Sequence, residues 1–347
     1  MSAERPRVPE VPSEKVIRAP NHLGDVVLAL PAIVADGSDV LVERWLAPVL
    51  EMGGVRGRVI PFDRGARGFA GAVRELRRRG YKEGVLMTPA FSAAWLLRCG
   101  GVRKLRGTRT DQRGLLLRDR VEPEALAGSH RIEAFKLLLG QHVSAPPVSH
   151  PVVAPEDRIA AWLERLGDRR TAGGLVGIFP GANAPARRWP TDRFGEATRA
   201  MTESGAGVVV LGGGGEREVT AQVAAAAPGA LDLGGQTDLT DLAAILSLCH
   251  LVITNDTGPM HLAGAVGTPT VSLWGSSDPS EVRQAGAADT QVTGATLPCK
   301  PCRRNHCRRR GRGTLLTDAH IECMRLIDVQ DVVAAAQASL GRRHLYD

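Results

Sequence analysis

The chain has 347 residues, too many for one ordinary core and suited to two α/β domains of about 150 residues each. Forty glycines and 4% aromatic residues favour helices packed closely on parallel sheets, and no window offers the roughly 18 unbroken apolar residues of a membrane span. A formal charge of +7 points to partners bearing phosphates or carboxylates, such as nucleic acid, anionic lipid or an acidic glycan.

Residues 1–13 carry Pro and Glu where a secretion signal needs an apolar run, so they read as a disordered lead-in to a cytoplasmic protein. An extended run at 15–19 follows, then the turn Pro20-Asn21-His22-Leu23-Gly24-Asp25 and an apolar helix at 26–35. Strand-like and helical runs alternate at 39–42, 46–52, 58–62, 69–79, 84–88 and 93–97, the spacing of βα units on a parallel sheet. A helix at 130–140 closes this half, and four prolines between 141 and 155 mark a linker. The expected domains are therefore 14–150 and 151–326, with a C-terminal helix in 327–347.

The second half restarts with a helix at 156–166 and a strand at 175–179, which ends in a loop at 180–190 containing Arg187, Arg188 and Trp189. A helix at 191–202, a strand at 208–211, four glycines at 212–215 and a helix at 216–227 come next. The glycine run is no dinucleotide fingerprint, because Arg217 occupies the place of the third small residue. The chain is organised around 251–276, LVITNDTGPMHLAGAVGTPTVSLWGS, which reads as strand, tight turn, helix and strand. Such a turn offers unpaired N–H groups and partial positive charge to an anion at Thr257 and Gly258. His261 lies one helical turn further and can face the same ligand. The competing reading is a satisfied helix cap at Asp256 or Thr257 with His261 buried.

Two such halves would open glycine turns onto an interdomain cleft. Asp25 would reach it from the first half, and Arg187, Arg188, Asp256, Thr257, Gly258 and His261 from the second. Cations with a helix N-terminus suit a diphosphate, and a carboxylate opposite suits a general base. Alternatively, Asp25 only complements the helix dipole, worth about 0.3–1 kcal/mol. No Asp-x-Asp occurs in the chain, which leaves a metal-chelated diphosphate without obvious ligands.

Several ordered motifs together resemble the bacterial lipopolysaccharide heptosyltransferases, glycosyltransferase family 9. They are HLGDVVLALPAI, GTRTDQRGLLL, PGA followed by RRWP, LGGGGERE and NDTGPMHLAGAVGTPTVSLWG, and they span the chain from about Lys15 to its end. APNHLGD and the Cys-x-x-Cys segment are similar to the subgroup that adds the second inner-core heptose. The resemblance implies the α/β GT-B fold, with two Rossmann-like βαβ domains whose parallel sheets face a cleft. The first domain would bind the acceptor and the second the nucleotide sugar. It places the catalytic base on Asp25, acting on the acceptor hydroxyl with inversion at the anomeric carbon. Donor binding falls to Arg187 and Arg188, to Asp256, Thr257, Gly258 and His261, and to Glu216 for the nucleoside. Arg187 departs from the family's Lys but keeps the charge and adds a fork. The implied donor is ADP-L-glycero-D-manno-heptose, the acceptor the Kdo-containing inner core of lipid A, and no metal is required for chemistry. Other sugars within the family, and a non-hydrolysing nucleotide-sugar epimerase of the same fold, are the alternatives.

Two basic stretches remain. Eight Lys or Arg residues between 98 and 120 face only Asp111 and Asp119, and Arg109 and Arg113 are expected to present cations to the acceptor's phosphates and carboxylates. Seven basic residues lie between Lys300 and Arg312 with no acid among them, and Arg308, Arg309 and Arg310 are expected to meet an anionic membrane surface. That places the protein as a peripheral one, at the inner face of the inner membrane. No aromatic residue interleaves the second cluster, which disfavours nucleic acid. Cys299, Cys302, Cys307 and Cys323, within the segment 299–323, follow C-x2-C-x4-C-x15-C and could bind structural Zn²⁺ in a reducing compartment. Cys99 and Cys249 read as core residues.

Overall fold

The computed structural model describes residues 13–143, 146–169, 173–307 and 321–343, and Arg308, Arg309, Arg310 and Arg312 lie outside the described residues. The chain divides into two compact units between Val152 and Val153.

The first unit runs β1 (Lys15–Arg18), α1 (Leu23–Asp36), β2 (Asp39–Glu43), α2 (Ala47–Met52), β3 (Val59–Phe62), α3 (Ala66–Arg79), β4 (Glu83–Leu86), α4 (Phe91–Cys99), β5 (Lys104–Thr108), β6 (Asp119–Val121) and α5 (Arg131–Leu138). Its six parallel strands are ordered β3-β2-β1-β4-β5-β6, so the order reverses between β1 and β4. Val16, Leu41, Leu86, Leu97 and Leu105 build a core between the sheet and its helices. Helix α3 buries only Ala72 and Leu76, carries three arginines in its last turn where they suit the dipole, and stops at Gly80 in the left-handed conformation.

The second unit runs α6 (Glu156–Leu166), β7 (Leu175–Phe179), α7 (Thr191–Glu203), β8 (Gly207–Val210), α8 (Arg217–Ala225), β9 (Leu231–Asp232), α9 (Leu239–Leu248), β10 (Leu251–Asn255), α10 (Gly258–Ala265), β11 (Thr270–Trp274), α11 (Pro279–Val282), β12 (Asp289–Thr293), α12 (Glu322–Arg325) and α13 (Val329–Arg343). The order is β12-β11-β10-β7-β8-β9, again all parallel, with the reversal between β10 and β7. Strands β7, β8, β10 and β11 are buried along their whole length, which is why they read as unbroken apolar runs. Helix α13 packs on α7 and on this sheet.

Four strands have no counterpart in the sequence expectation: β5, β6, β9 and β12. Each is short or carries charged and polar residues at or next to a sheet edge, where one face meets water and the apolar signal is diluted. Among the described residues no helix is long and apolar enough to cross a membrane.

Candidate active site

In the first unit the site-forming loops leave β1 and β4, the two strands at the reversal of order. Arg18 at the end of β1 is buried and donates to Asn21 Oδ1 at 2.5 Å, and its guanidinium lies 4.8 Å above the centre of the Phe62 ring. Burial lowers its pKa to about 10 against the pull of Glu43, 3.9 Å away. Asn21 donates in turn to Thr88 Oγ1 at 3.3 Å, and the Met87 N–H to the Arg18 carbonyl at 3.0 Å. The two loops are thereby tied together at the start of α1.

Asp25 sits in the first turn of α1 and caps nothing. Its side chain is 34% exposed and lies 3.7 Å from Arg131 Nε, at the first residue of α5. It makes no hydrogen bond among the described residues, so its oxygens can accept a proton from a bound hydroxyl. Arg131 is a neighbour that the sequence pattern did not single out, because it is distant in the chain and marked only by the helix start beside it. A capping box of His130 and Glu133 fixes that start.

In the second unit the loops after β7, β8 and β10 converge at the carboxyl ends of three adjacent strands, around the reversal between β7 and β10. Arg187 stands in a 3₁₀ turn, Pro185–Arg187, and its Nη1 pairs at 3.2 Å with Oδ2 of the buried Asp256. Arg188 donates from Nε to the Ala182 carbonyl at 2.7 Å. Thr257 is the N-cap of α10 in extended backbone, but its side chain accepts no capping hydrogen bond. The Thr257-Gly258 end of α10 beside Arg187 is suited to an anion. His261 is buried on α10 one turn further along.

Glu216 accepts from the Gly213 N–H at 2.7 Å. A Cβ at Gly181 would stand 1.8 Å from Glu216 Oε1, so only glycine lets the β7 loop approach the carboxylate so closely.

Asn255, the last residue of β10, is fully buried and holds this assembly together. Its Oδ1 accepts from the Trp189 N–H at 3.0 Å, and its Nδ2 donates to the Pro180 carbonyl at 2.8 Å. Trp189 is anchored by its indole N–H to the Ile327 carbonyl at 3.1 Å and by an edge-on contact with Phe194. Sequence reading took Asn255 as the first residue of the turn Asn255-Asp256-Thr257-Gly258 and gave it no role of its own, whereas it closes the strand. The available signal was its place directly before the Asp-Thr-Gly turn.

Arg109 and Arg113 are separated by burial. Arg109 follows β5, is 60% exposed and pairs with Glu122 at 3.2 Å. Arg113 is 0% exposed, which corrects the expectation that it presents a cation to a ligand. Its guanidinium donates to the Thr108 carbonyl at 2.9 Å, to Thr108 Oγ1 at 2.6 Å and to the Thr88 carbonyl, joining the ends of β4 and β5. Burial lowers its pKa to about 10, with Asp111 opposing.

Cys249 is a buried core thiol whose pKa burial pushes up to about 12, and Cys99 is half-buried. Cys299, Cys302 and Cys307 are wholly or partly exposed and Cys323 is buried. Burial raises the Cys323 pKa, Lys300 opposes this, and the other three thiols add to the rise, so all four share one neighbourhood. Four thiols are a suitable donor set for a soft ion, but as placed they do not form a ligand shell: among the described residues no three His, Cys, Asp or Glu side chains converge on a metal position.

Two parallel Rossmann-like sheets with loops gathered at their order reversals make up the GT-B fold. The family described as Glycosyltransferase family 9 (heptosyltransferase) matches residues 70–311, and the chain belongs to it. It is 25% identical over 259 residues to lipopolysaccharide heptosyltransferase 2 of Escherichia coli, covering 70% of this chain and 74% of that one. The solved structure of the E. coli ADP-heptose lipopolysaccharide heptosyltransferase II superposes with a TM-score of 0.78 at 19% identity, covering 95% of this chain and 99% of the other. The iron-containing dodecameric glycosyltransferase TibC of E. coli superposes with a TM-score of 0.60 at 16% identity, over 96% of this chain and 79% of that one.

Proposed function

We propose that the protein transfers L-glycero-D-manno-heptose from ADP-heptose, with inversion, to the Kdo- and heptose-containing inner core of lipopolysaccharide. Family membership supports the reaction class, and the relatives' heptosyltransferase names support the sugar and the lipopolysaccharide acceptor. The observation that carries the reading is the Arg187–Asp256 pair beside the Thr257-Gly258 end of α10, an arrangement fit for a diphosphate that gains charge as it leaves.

In this reading Arg187 and the backbone N–H groups at Thr257 and Gly258 stabilise the departing ADP. Asp256 holds the Arg187 fork and, with His261, meets the sugar. Glu216 receives the nucleoside, and Arg188 supports the loop that carries Arg187. Asp25 removes the proton from the acceptor hydroxyl as that oxygen attacks the anomeric carbon. The C1–O bond to ADP breaks and its electron pair leaves with the diphosphate. Arg109 meets acceptor phosphates or carboxylates. The enzyme works in the cytoplasm on an acceptor presented at the inner membrane.

The test uses purified protein with ADP-heptose and separately prepared lipid A cores bearing no, one or two heptoses, with products weighed by mass spectrometry. One added heptose on a single core type, together with released ADP, is the expected result. Transfer only from another sugar nucleotide would assign a different family 9 activity. Donor conversion without any acceptor would assign an epimerase.

A structural metal on Cys299, Cys302, Cys307 and Cys323 is a separate proposal, supported by the shared neighbourhood of the thiols and not by their present geometry. It predicts about one zinc or iron per chain in protein purified without a metal-affinity step. Four titratable thiols and no stoichiometric metal would end it.

A further inference from the structure

The basic stretch between 98 and 120 does not form one surface. Strands β5 and β6 are parallel, so residues preceding them and residues following them lie at opposite ends of the sheet. Arg109 follows β5, at the end where the Asp25 loop opens. Arg103 and Arg118 immediately precede β5 and β6, at the far end, separated from Arg109 by the length of a five-residue strand, about 16 Å.

At that far end Arg98, Arg103 and Arg118 line a shallow groove of about 600 Å³ together with Trp95 and Leu116. The acids of the neighbouring strands are already occupied: Asp119 pairs with Arg106, Glu83 with Lys104 and Glu122 with Arg109. Arg103 and Arg118 are exposed and make no ion pair or side-chain hydrogen bond among the described residues. Among the described residues Arg98 donates to the carbonyls of Val102 and Arg103 alone. The local balance is therefore positive and unneutralised.

The same face is apolar in an unusual way. Trp95 and Phe91, one turn apart on α4, are 49% and 42% exposed, and their rings stack with centroids 6.4 Å apart. Leu115, in the 3₁₀ turn that packs against α4, is 94% exposed. Exposing these side chains costs free energy in water, and among the described residues nothing buries them.

We infer that this face docks on an anionic lipid bilayer. Trp95, Phe91 and Leu115 enter the interfacial layer, while Arg98, Arg103 and Arg118 meet lipid phosphates. Aromatic rings with flanking arginines are the combination that bilayer interfaces favour, because rings and aliphatic stems leave water while the charges stay among headgroups. An acidic protein would be met by the charges alone and gives no reason for a 94% exposed leucine. The inference holds whichever sugar is transferred, and it assigns the membrane contact to the first unit in addition to, or in place of, the cluster at 300–312.

The test is sedimentation of the full chain with vesicles of phosphatidylcholine alone or mixed with phosphatidylglycerol. Wild type should bind the mixed vesicles and not the neutral ones. Trp95→Ser with Leu115→Ser, and separately Arg103→Glu with Arg118→Glu, should each weaken binding roughly tenfold or more. Thermal unfolding and turnover of a soluble, delipidated acceptor should stay unchanged, which separates loss of docking from loss of fold or of the proposed activity. Unchanged vesicle binding in both double variants, with binding lost on Arg308→Ala, Arg309→Ala and Arg310→Ala, would overturn the assignment. So would equal binding to neutral vesicles, or displacement of the bound lipid by single-stranded DNA.

Discussion

Arg109 and Arg113 stand four residues apart in one basic stretch, yet one ends in water and the other in the core. A composition argument treats them alike, because the number of charges does not reveal that the chain turns between them and folds Arg113 under the ends of β4 and β5. Arg109→Ala is expected to raise the acceptor KM and leave ADP affinity unchanged. Arg113→Met should instead lower thermal stability, since at least one buried carbonyl loses its donor at about 1–3 kcal/mol. Steady-state kinetics and calorimetry on the two variants separate the roles. The Asp25 side chain is 34% exposed beside Arg131, and the proposed mechanism makes it the general base. Asp25→Asn should reduce kcat by about 10²–10⁴-fold while ADP titrations remain close to wild type. Near wild-type turnover would remove Asp25 from the mechanism.

The segment from β10 through α10 to β11 was legible because central parallel strands are buried on both faces and leave an unbroken apolar signature. The short strands β5, β6, β9 and β12 were not, because edge positions alternate between core and solvent and tolerate charge. How the loops support one another was also hidden. Asn255 joins the β7 loop to β10, and Gly181 lets that loop reach Glu216 on the β8 turn. Gly181→Ala must therefore displace the Glu216 carboxylate or the loop itself. The expected result is weaker ADP binding by calorimetric titration, with little change in the circular dichroism of the fold. Undiminished ADP affinity would mean that Glu216 does not serve the nucleoside.

Each unit carries its own apolar core, one built on Val16, Leu41 and Leu97 and the other on Ile178, Phe194 and Ile253. Separate cores predict unfolding that departs from a single two-state transition. A ligand held by the second unit should stabilise that unit alone. ADP at about one hundred times its Kd contributes about 2.7 kcal/mol by mass action, so scanning calorimetry should show one of two transitions moving up while the other stays. A single transition shifted as a whole would show the units unfolding together. Period, glycine turns and ordered motifs were enough to establish from the sequence parallel α/β halves and the family of the chain, since these follow from local backbone preference and from the burial of central strands. Tertiary structure alone decided that Arg187 pairs with Asp256, that Arg113 is internal, and that the basic stretch splits between two ends of a sheet. Those outcomes depend on which distant backbone groups arrive beside each side chain, and long-range packing sets that, not the spacing of residues along the chain.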